Sequence, residues 1–579
     1  MYFVKVNKNK FIYLMYFSFY TVLSLQVYKK TYPTIGVNDD EFFAQLVSGS
    51  YTGIPESQVH IANASPQWIF GLIVSSFFKI NPNISWYFII LALTVIISVT
   101  IITFVTHILT QDLISITFAT LLSSVILIWY VQSPTYTASA FYSGTAGFFS
   151  LAVYLIDKSK TIFGIIAALL ISWSISTRTE SFIGVLSLFL ILILIFITTN
   201  RSSKKDIVKN LILISLLPIL TLLINFTAYK IQFSDQEWRD YRNFESARYT
   251  IQDNEIERII SEDPSKYGWE EYEYRLFDSY NFLYKDPFTG QKLIKIIDET
   301  NITPASIFDS KFDDFVNRIE TKFKSFDFII KSGFIFLTLL IIQLLLNKKR
   351  KGIKDLLIYT GFGFIIFAIL GIYISIYLRL PERVFFPFMT LLPFLFIFSY
   401  ILIFYRNNEI KSNKLISTIF AFILLIAVAF DSKEDFNQSF FFKTNPAYRS
   451  FWGEQSAFLQ SLGSNKILIG NASQFRTMWS DPYRTNASLN NLQILQTGWY
   501  TFSPYWNNKA RNLGLNPDNL IKSLLDNPDT IWMSDDEYTK VISEAIQSMT
   551  GNYPKVEKIG SVIFDQAEYA AYKFSDVTN

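Results

Sequence analysis

"TIFGIIAALLISWSISTRTESFIGVLSLFLILILIFITT", residues 161–199, is apolar throughout except for one charged interruption, Arg178-Thr179-Glu180. Crossing a bilayer takes about 20 residues of helix. The stretch is therefore long enough for two crossings, and the charged tripeptide is where the chain turns. Outward from it the same pattern recurs. Spans are expected at about 11–28, 84–106, 113–131, 139–157, 162–177, 181–199, 211–230, 328–346, 356–378, 384–405 and 413–430, about eleven in all. With 50% hydrophobic and 17% aromatic residues in 579, the expected fold is an all-α polytopic membrane protein. The first span, "FIYLMYFSFYTVLSLQVY", has no small-residue cleavage site after it and is expected to be retained.

Lys and Arg near span ends favour the cytoplasmic side. "VKVNKNK", "DKSK", "NRSSKKDIVKN", "NKKRKGIK" and "YRNNEIKSNK" all fall on one side if the N-terminus is cytoplasmic. The opposite, extracytoplasmic side of the plasma membrane then receives the loops of about 30–83 and 231–327 and the C-terminal tail. The loop 231–327 carries 21 acidic against 13 basic residues. Residues 1–430 thus read as a transmembrane domain with these two outer loops, and 431–579 as a small α/β extracytoplasmic domain. In that tail "KILIG" (466–470) and "TIWMS" (530–534) resemble short buried strands. "SDDEYTKVISEAIQSMTG" has a capping box, Ser534 with Glu537, and a terminal Gly551. A net charge of +3, spread over short clusters between apolar runs, argues against a nucleic-acid partner. The chain has no cysteine and two histidines, which excludes disulfides, thiolate chemistry and a histidine-rich metal site. No Walker loop or Rossmann fingerprint is present.

The polar residues expected at the outer membrane edge define the candidate site. "NDDEFFAQLVSG" (38–49) follows the first span and begins with Asp39 and Asp40; "STRTES" holds Arg178 and Glu180; "YLRLPERVFFP" holds Arg379, Glu382 and Arg383. Charges so near hydrocarbon are costly and are functional or paired. Asp39 or Asn38 could instead cap a helix ending at Gly49, and each Arg–Glu pair could fasten helix ends. Two carboxylates and three arginines on one membrane face would also supply a base and a cationic cradle for a phosphate-linked lipid. Arginine's planar fork binds phosphate in bidentate fashion, and a carboxylate can take a proton from an attacking hydroxyl. His60 lies on the same outer loop as a supporting group, and Asp39 and Asp40 are the candidate ligands if a divalent cation is used. Tyr51, Trp68, Trp86 and Tyr87 could stack on sugars or form an interfacial belt. Trp238, Arg242, Arg248 and Asp253 could bind acceptor or form a solvated face.

The early outer loop with its acid pair, the many spans and the extracytoplasmic tail together resemble the GT-C superfamily of membrane glycosyltransferases. "NDDEFFAQLVSGSYTGIPE" with "PQWIFGLIVSSFFKINPNISWY" is similar to the opening of a bacterial branch of glycan-assembly proteins. The resemblance implies a polyprenyl-phosphate-linked sugar as donor, a cell-envelope glycan or lipid as acceptor, inversion at the anomeric carbon, and Asp39 or Asp40 as catalytic residue. Three other functions compete. A lipid-linked glycan flippase would place charges near mid-span and show inverted repeats, a polymerase or ligase would not need the early acid pair, and a scaffold would need no site.

Overall fold

The structure, a computed structural model, describes residues 2–35, 38–61, 65–157, 159–199, 204–252, 256–300, 328–347, 350–377, 381–406, 414–437, 446–475, 480–484, 492–564 and 567–576. In chain order its helices begin with α1 (Tyr2–Lys30), α2 (Asn38–Ser48), α3 (Trp68–Ile80), α4 (Trp86–Thr110), α5 (Leu113–Gln132), α6 (Tyr136–Ile156), α7 (Thr161–Thr177), α8 (Thr179–Thr199) and α9 (Lys204–Gln232). Then come α10 (Gln236–Gln252), α11 (Ile256–Glu262), α12 (Glu271–Asp278), α13 (Gly290–Glu299), α14 (Phe328–Leu346), α15 (Arg350–Tyr377), α16 (Glu382–Arg406) and α17 (Lys414–Asn437). Each of the eleven expected spans is a helix. Among the described residues, 9 helices are long and apolar enough to cross a membrane; Thr161–Thr177 and Lys414–Leu425 are shorter apolar segments. The protein is a multi-pass membrane protein.

Two compact units form. The first contains Met1–Pro33, Trp86–Phe226 and Lys311–Thr444. Its most enclosed spans are α6 and α16. α6 is rich in small residues, so its backbone comes close to that of α7, the way membrane helices pack without a hydrophobic drive. A Cβ on Gly147 would meet Ile171 Cγ1 at 2.7 Å, and Ser174 Oγ donates to the Ala140 carbonyl at 2.6 Å. Phe148, Phe149, Phe189 and Phe398 interlock beside this seam. Outer helices leave Leu14, Val22 and Leu25 of α1 and Leu213, Leu223 and Phe226 of α9 exposed, a surface stable only in hydrocarbon. Asp112, fully buried, caps α5 through Ser115 N (3.1 Å) and also accepts from Gln343 (3.1 Å) and Ser417 (2.6 Å), tying α14 and α17 to α5.

The second unit contains Thr34–Ser85, Thr227–Ser310 and Asn445–Asn579, so the described parts of both expected outer loops fold with the tail. The tail adds α18 (Pro446–Ser461), α19 (Ala472–Phe475), α20 (Pro504–Asn512), α21 (Leu520–Asp526) and α22 (Asp536–Thr550) around a sheet. Its strands are β1 (Ile467–Asn471), β2 (Gln493–Thr497), β3 (Thr530–Ser534), β4 (Lys555–Phe564) and β5 (Ala567–Ser575), in the order β2-β1-β3-β5-β4. β1 pairs parallel with β2 and β3, while β5 runs antiparallel to β3 and β4. The two strands expected from sequence are β1 and β3. Leu459, Leu468, Phe475, Ile531, Met533 and Ala571 form its core. α22 begins one residue later than its sequence suggested. Asp535, not Ser534, is the N-cap, its carboxylate accepting from Tyr538 N at 2.8 Å, because Ser534 still belongs to β3. Gly551 ends the helix at φ +80°, a left-handed position that favours glycine.

The segment after α12 stitches loop to tail. Asn471 Nδ2 donates to the Ser279 carbonyl at 2.6 Å, Thr497 Oγ1 donates to Asn281 Oδ1 at 3.1 Å, and Leu520 N donates to the Leu283 carbonyl at 2.7 Å. The carboxyl ends of β1 and β2, where open α/β sheets usually bind ligands, are covered by the chain's own loop.

Candidate functional site

The acid pair sits inside α2, not ahead of it. Asn38 opens the helix, so Asp39, Asp40 and Glu41 all lie in its first turn, where free backbone N–H groups favour negative charge. Gly49 follows its last turn at φ +79°, and a side chain there would strike the Ile54–Pro55 backbone. The helix is fixed from outside by aromatic rings. Phe42 stacks on Tyr500 at 3.9 Å with ring planes 4° apart, meets Trp499 edge-on at 5.5 Å, and meets Tyr51 edge-on at 5.0 Å.

That anchoring sorts the three acids. Asp39 is half-buried and Asp40 is fully buried. Glu41 is buried too, and takes a hydrogen bond from Gln45 Nε2 at 2.9 Å. Loss of water pushes its carboxyl up to about 8, against which hydrogen bonds from Gln496 and Gln45 pull only partly. Gln496 in turn accepts from Tyr500 OH at 3.0 Å, linking this acid to the stacked ring. Nothing in "NDDEFF" distinguishes Glu41 from its neighbours. Its raised pKa comes from burial, which the hydrogen bond from Gln496, more than 450 positions away, only partly offsets.

His60 meets the Tyr229 ring edge-on at 5.0 Å. Burial and the nearby Arg242 charge lower its pKa to about 4, so it is neutral at physiological pH. The Arg242 guanidinium lies over the rings of Tyr229 (5.2 Å) and Phe233 (5.6 Å), where α9 ends. It has no carboxylate partner among the described residues. Arg248, by contrast, is buried and forked onto Glu245 at 2.7 and 2.6 Å, with Gln252 at 2.7 Å. Trp238 packs on Phe233, Tyr241 and Tyr505. Asp253 lies outside the described residues.

The charged groups of the first unit have different surroundings. Arg178 is the C-cap of α7; it donates to Thr137 Oγ1, lies over the Tyr136 ring at 5.4 Å and pairs with Glu180 at 3.9 Å. These contacts join the ends of α6, α7 and α8. Glu382 and Arg383 open α16, with Arg383 half-buried. Arg379 lies outside the described residues. Asp39, Asp40 and His60 belong to the second unit and these other groups to the first. Of the expected aromatic platform, Tyr51 and Tyr87 are buried and Trp68 and Trp86 half-buried. The described residues contain no cluster of three or more His, Cys, Asp or Glu side chains able to hold a metal.

No protein-family model matches the chain, and no curated protein matches it. Among solved structures, ArnT from Cupriavidus metallidurans in the apo state aligns over 96% of this chain and 97% of its own, with 10% identity and a TM-score of 0.40. The same protein bound to undecaprenyl phosphate aligns over 96% and 97%, with 8% identity and a TM-score of 0.37.

Proposed function

We propose that this chain is a GT-C type glycosyltransferase of the inverting kind. It would move a sugar from a polyprenyl-phosphate donor to a cell-envelope glycan or lipid acceptor on the outer face of the plasma membrane, with its N-terminus cytoplasmic. The observation that carries the proposal is the first turn of α2, where a half-exposed Asp39 stands beside a fully buried Asp40 immediately after the first span. Asp39, the more accessible, takes the proton from an acceptor hydroxyl; the oxygen attacks the anomeric carbon through an oxocarbenium-like state and the bond to the lipid phosphate breaks. Asp40 orients Asp39.

The departing phosphate needs a cation that stays charged and is not spent on a carboxylate. Arg242 fits that description within the same unit as the acids. Arg178, Arg379 and Arg383 remain proposals for the same role, with Glu180 and Glu382 supporting them. His60, being neutral, supplies no positive charge to the phosphate. A divalent cation would find two carboxylates at Asp39 and Asp40 and would take its other ligands from donor phosphate and water, a usual arrangement for magnesium.

Asparagine replaces a carboxylate without providing a base. Asp39→Asn is expected to lower sugar transfer by about a hundredfold or more while leaving the protein folded and inserted. Asp40→Asn is expected to cost less. Profiling lipid-linked saccharides in cells carrying each variant reads the outcome. Wild-type profiles for both would refute the proposal, and accumulation of an otherwise complete lipid-linked glycan would point to export or ligation.

A further inference from the structure

Beside α2 the second unit holds two enclosed polar groups without a hydrogen-bond partner among the described residues and, next to them, a half-buried ammonium. Tyr51 is 4% exposed and Trp499 8% exposed, and the Tyr51 hydroxyl and the Trp499 indole N–H are both enclosed without a hydrogen-bond partner among the described residues. Both rings belong to one cluster with Phe42 and Tyr500. The Lys509 ammonium, on α20, lies 4.1 Å from the centre of the Tyr51 ring and has no carboxylate partner among the described residues. Leaving a buried donor unmatched is costly, and the half-buried ammonium has a ring face, not a carboxylate, as its neighbour among the described residues.

The three groups share one property. An indole N–H and an ammonium can only donate, and a phenol can donate. A ligand completing them must bring acceptor oxygens and negative charge, and the surrounding rings suit the apolar face of a sugar. From this we infer that Lys509, Tyr51 and Trp499 form a binding subsite for an oxyanion, a phosphate or carboxylate, carried on one of the saccharide substrates. The inference rests on the glycosyltransferase reading for the word substrate, but not for the binding itself. Two sources share this chemistry, the lipid phosphate of the donor and an acid group on the acceptor. Burial also lowers the Lys509 pKa to about 8, which an oxyanion would reverse.

The test is equilibrium binding to the full chain in lipid nanodiscs with two probes, undecaprenyl phosphate and glucuronate. Saturable binding of either probe, weakened about 10- to 100-fold by Lys509→Ala and by a smaller factor in Tyr51→Phe, supports the subsite. The probe that responds identifies the source. Tyr51→Phe removes one oxygen only, so it serves if Lys509→Ala misfolds. No saturable binding of either probe, or binding unchanged in both variants, overturns the inference. Running the same titrations on Asp39→Asn separates the two proposals. Binding that persists there while transfer is lost upholds both, whereas normal transfer by Asp39→Asn with Lys509-dependent binding leaves the oxyanion subsite standing and removes the catalytic reading.

Discussion

Glutamine in place of Glu41 should stabilise the second unit, and only above mildly acidic pH. In the folded protein the Glu41 carboxyl holds its proton up to about 8, against an ordinary value of 4.5. Between those limits the opened form of α2 has shed the proton and the closed form has kept it, so stability is fully present below about 4.5 and is lost as pH rises towards 8. At about 1.4 kcal/mol per pH unit, the loss is roughly 3 kcal/mol at pH 7 and roughly 5 kcal/mol by pH 8. Glu41→Gln keeps hydrogen-bonding capacity towards Gln45 and Gln496 but never ionises, so its closed state should not weaken with pH. The natural chain has no cysteine, which permits a direct assay. A single cysteine at Leu46, a fully buried position of α2, is modified by a thiol reagent only when the helix opens. An exposed cysteine at Ser50 corrects for the reagent's own pH dependence. Protection at Leu46 should fall about tenfold per pH unit between 5 and 7.5 with Glu41 present and stay flat in Glu41→Gln. Equal slopes in the two proteins, or faster opening of Glu41→Gln at pH 7, would refute the assignment of a buried neutral acid.

Three further outcomes are expected. Gly147→Leu drives a side chain into Ile171, where even a Cβ would stand at 2.7 Å; it should lower thermal stability by about 1–3 kcal/mol or more and cut the yield of folded protein, whereas a leucine at the exposed Ile162 position of α7 should not. Arg242→Lys, Arg379→Lys and Arg383→Lys keep the charge but lose the planar fork, so any that binds the leaving phosphate should transfer sugar at least about tenfold more slowly with its folding intact; normal rates for all three would remove these three arginines from that role. For orientation, cysteines at the exposed Ser261 and Gln547 should react with an impermeant reagent on whole cells and one at Ser159 should not, and the reverse pattern would invert the proposed topology.

How far the sequence shows these features depends on what enforces them. The spans were legible because hydrocarbon imposes a long unbroken apolar run on any helix that faces it, and all eleven runs are helical. β1 and β3 were legible for a similar reason, being short apolar runs buried on both faces. β2, "QILQT", has glutamines at both sides of its apolar pair, and the hairpin β4–β5 alternates too loosely to stand out from its surroundings. Asp535 displaced Ser534 as cap because strand pairing claimed the serine. Least legible was the environment of the acids. Phe42, Glu41 and Tyr51 find Tyr500, Gln496 and Lys509 only through tertiary contacts, and no local pattern encodes partners at that distance. Arg242 was visible as one of several loop arginines. What sets it apart from Arg248 is that Glu245 occupies the latter.

The stacking of Phe42 on Tyr500 also sets a timetable. The two rings are separated by nearly the whole chain, with every later span made in between, so α2 cannot reach its final setting during most of synthesis. At about 5–20 residues per second, α2 waits on the order of 25–90 seconds after its own synthesis before the Trp499–Tyr500 turn exists. Until then the acids of α2 lack the aromatic wall that enforces their different burial. The differentiated burial of these acids comes into being only once the segment carrying Trp499 and Tyr500 has been made and has packed on Phe42.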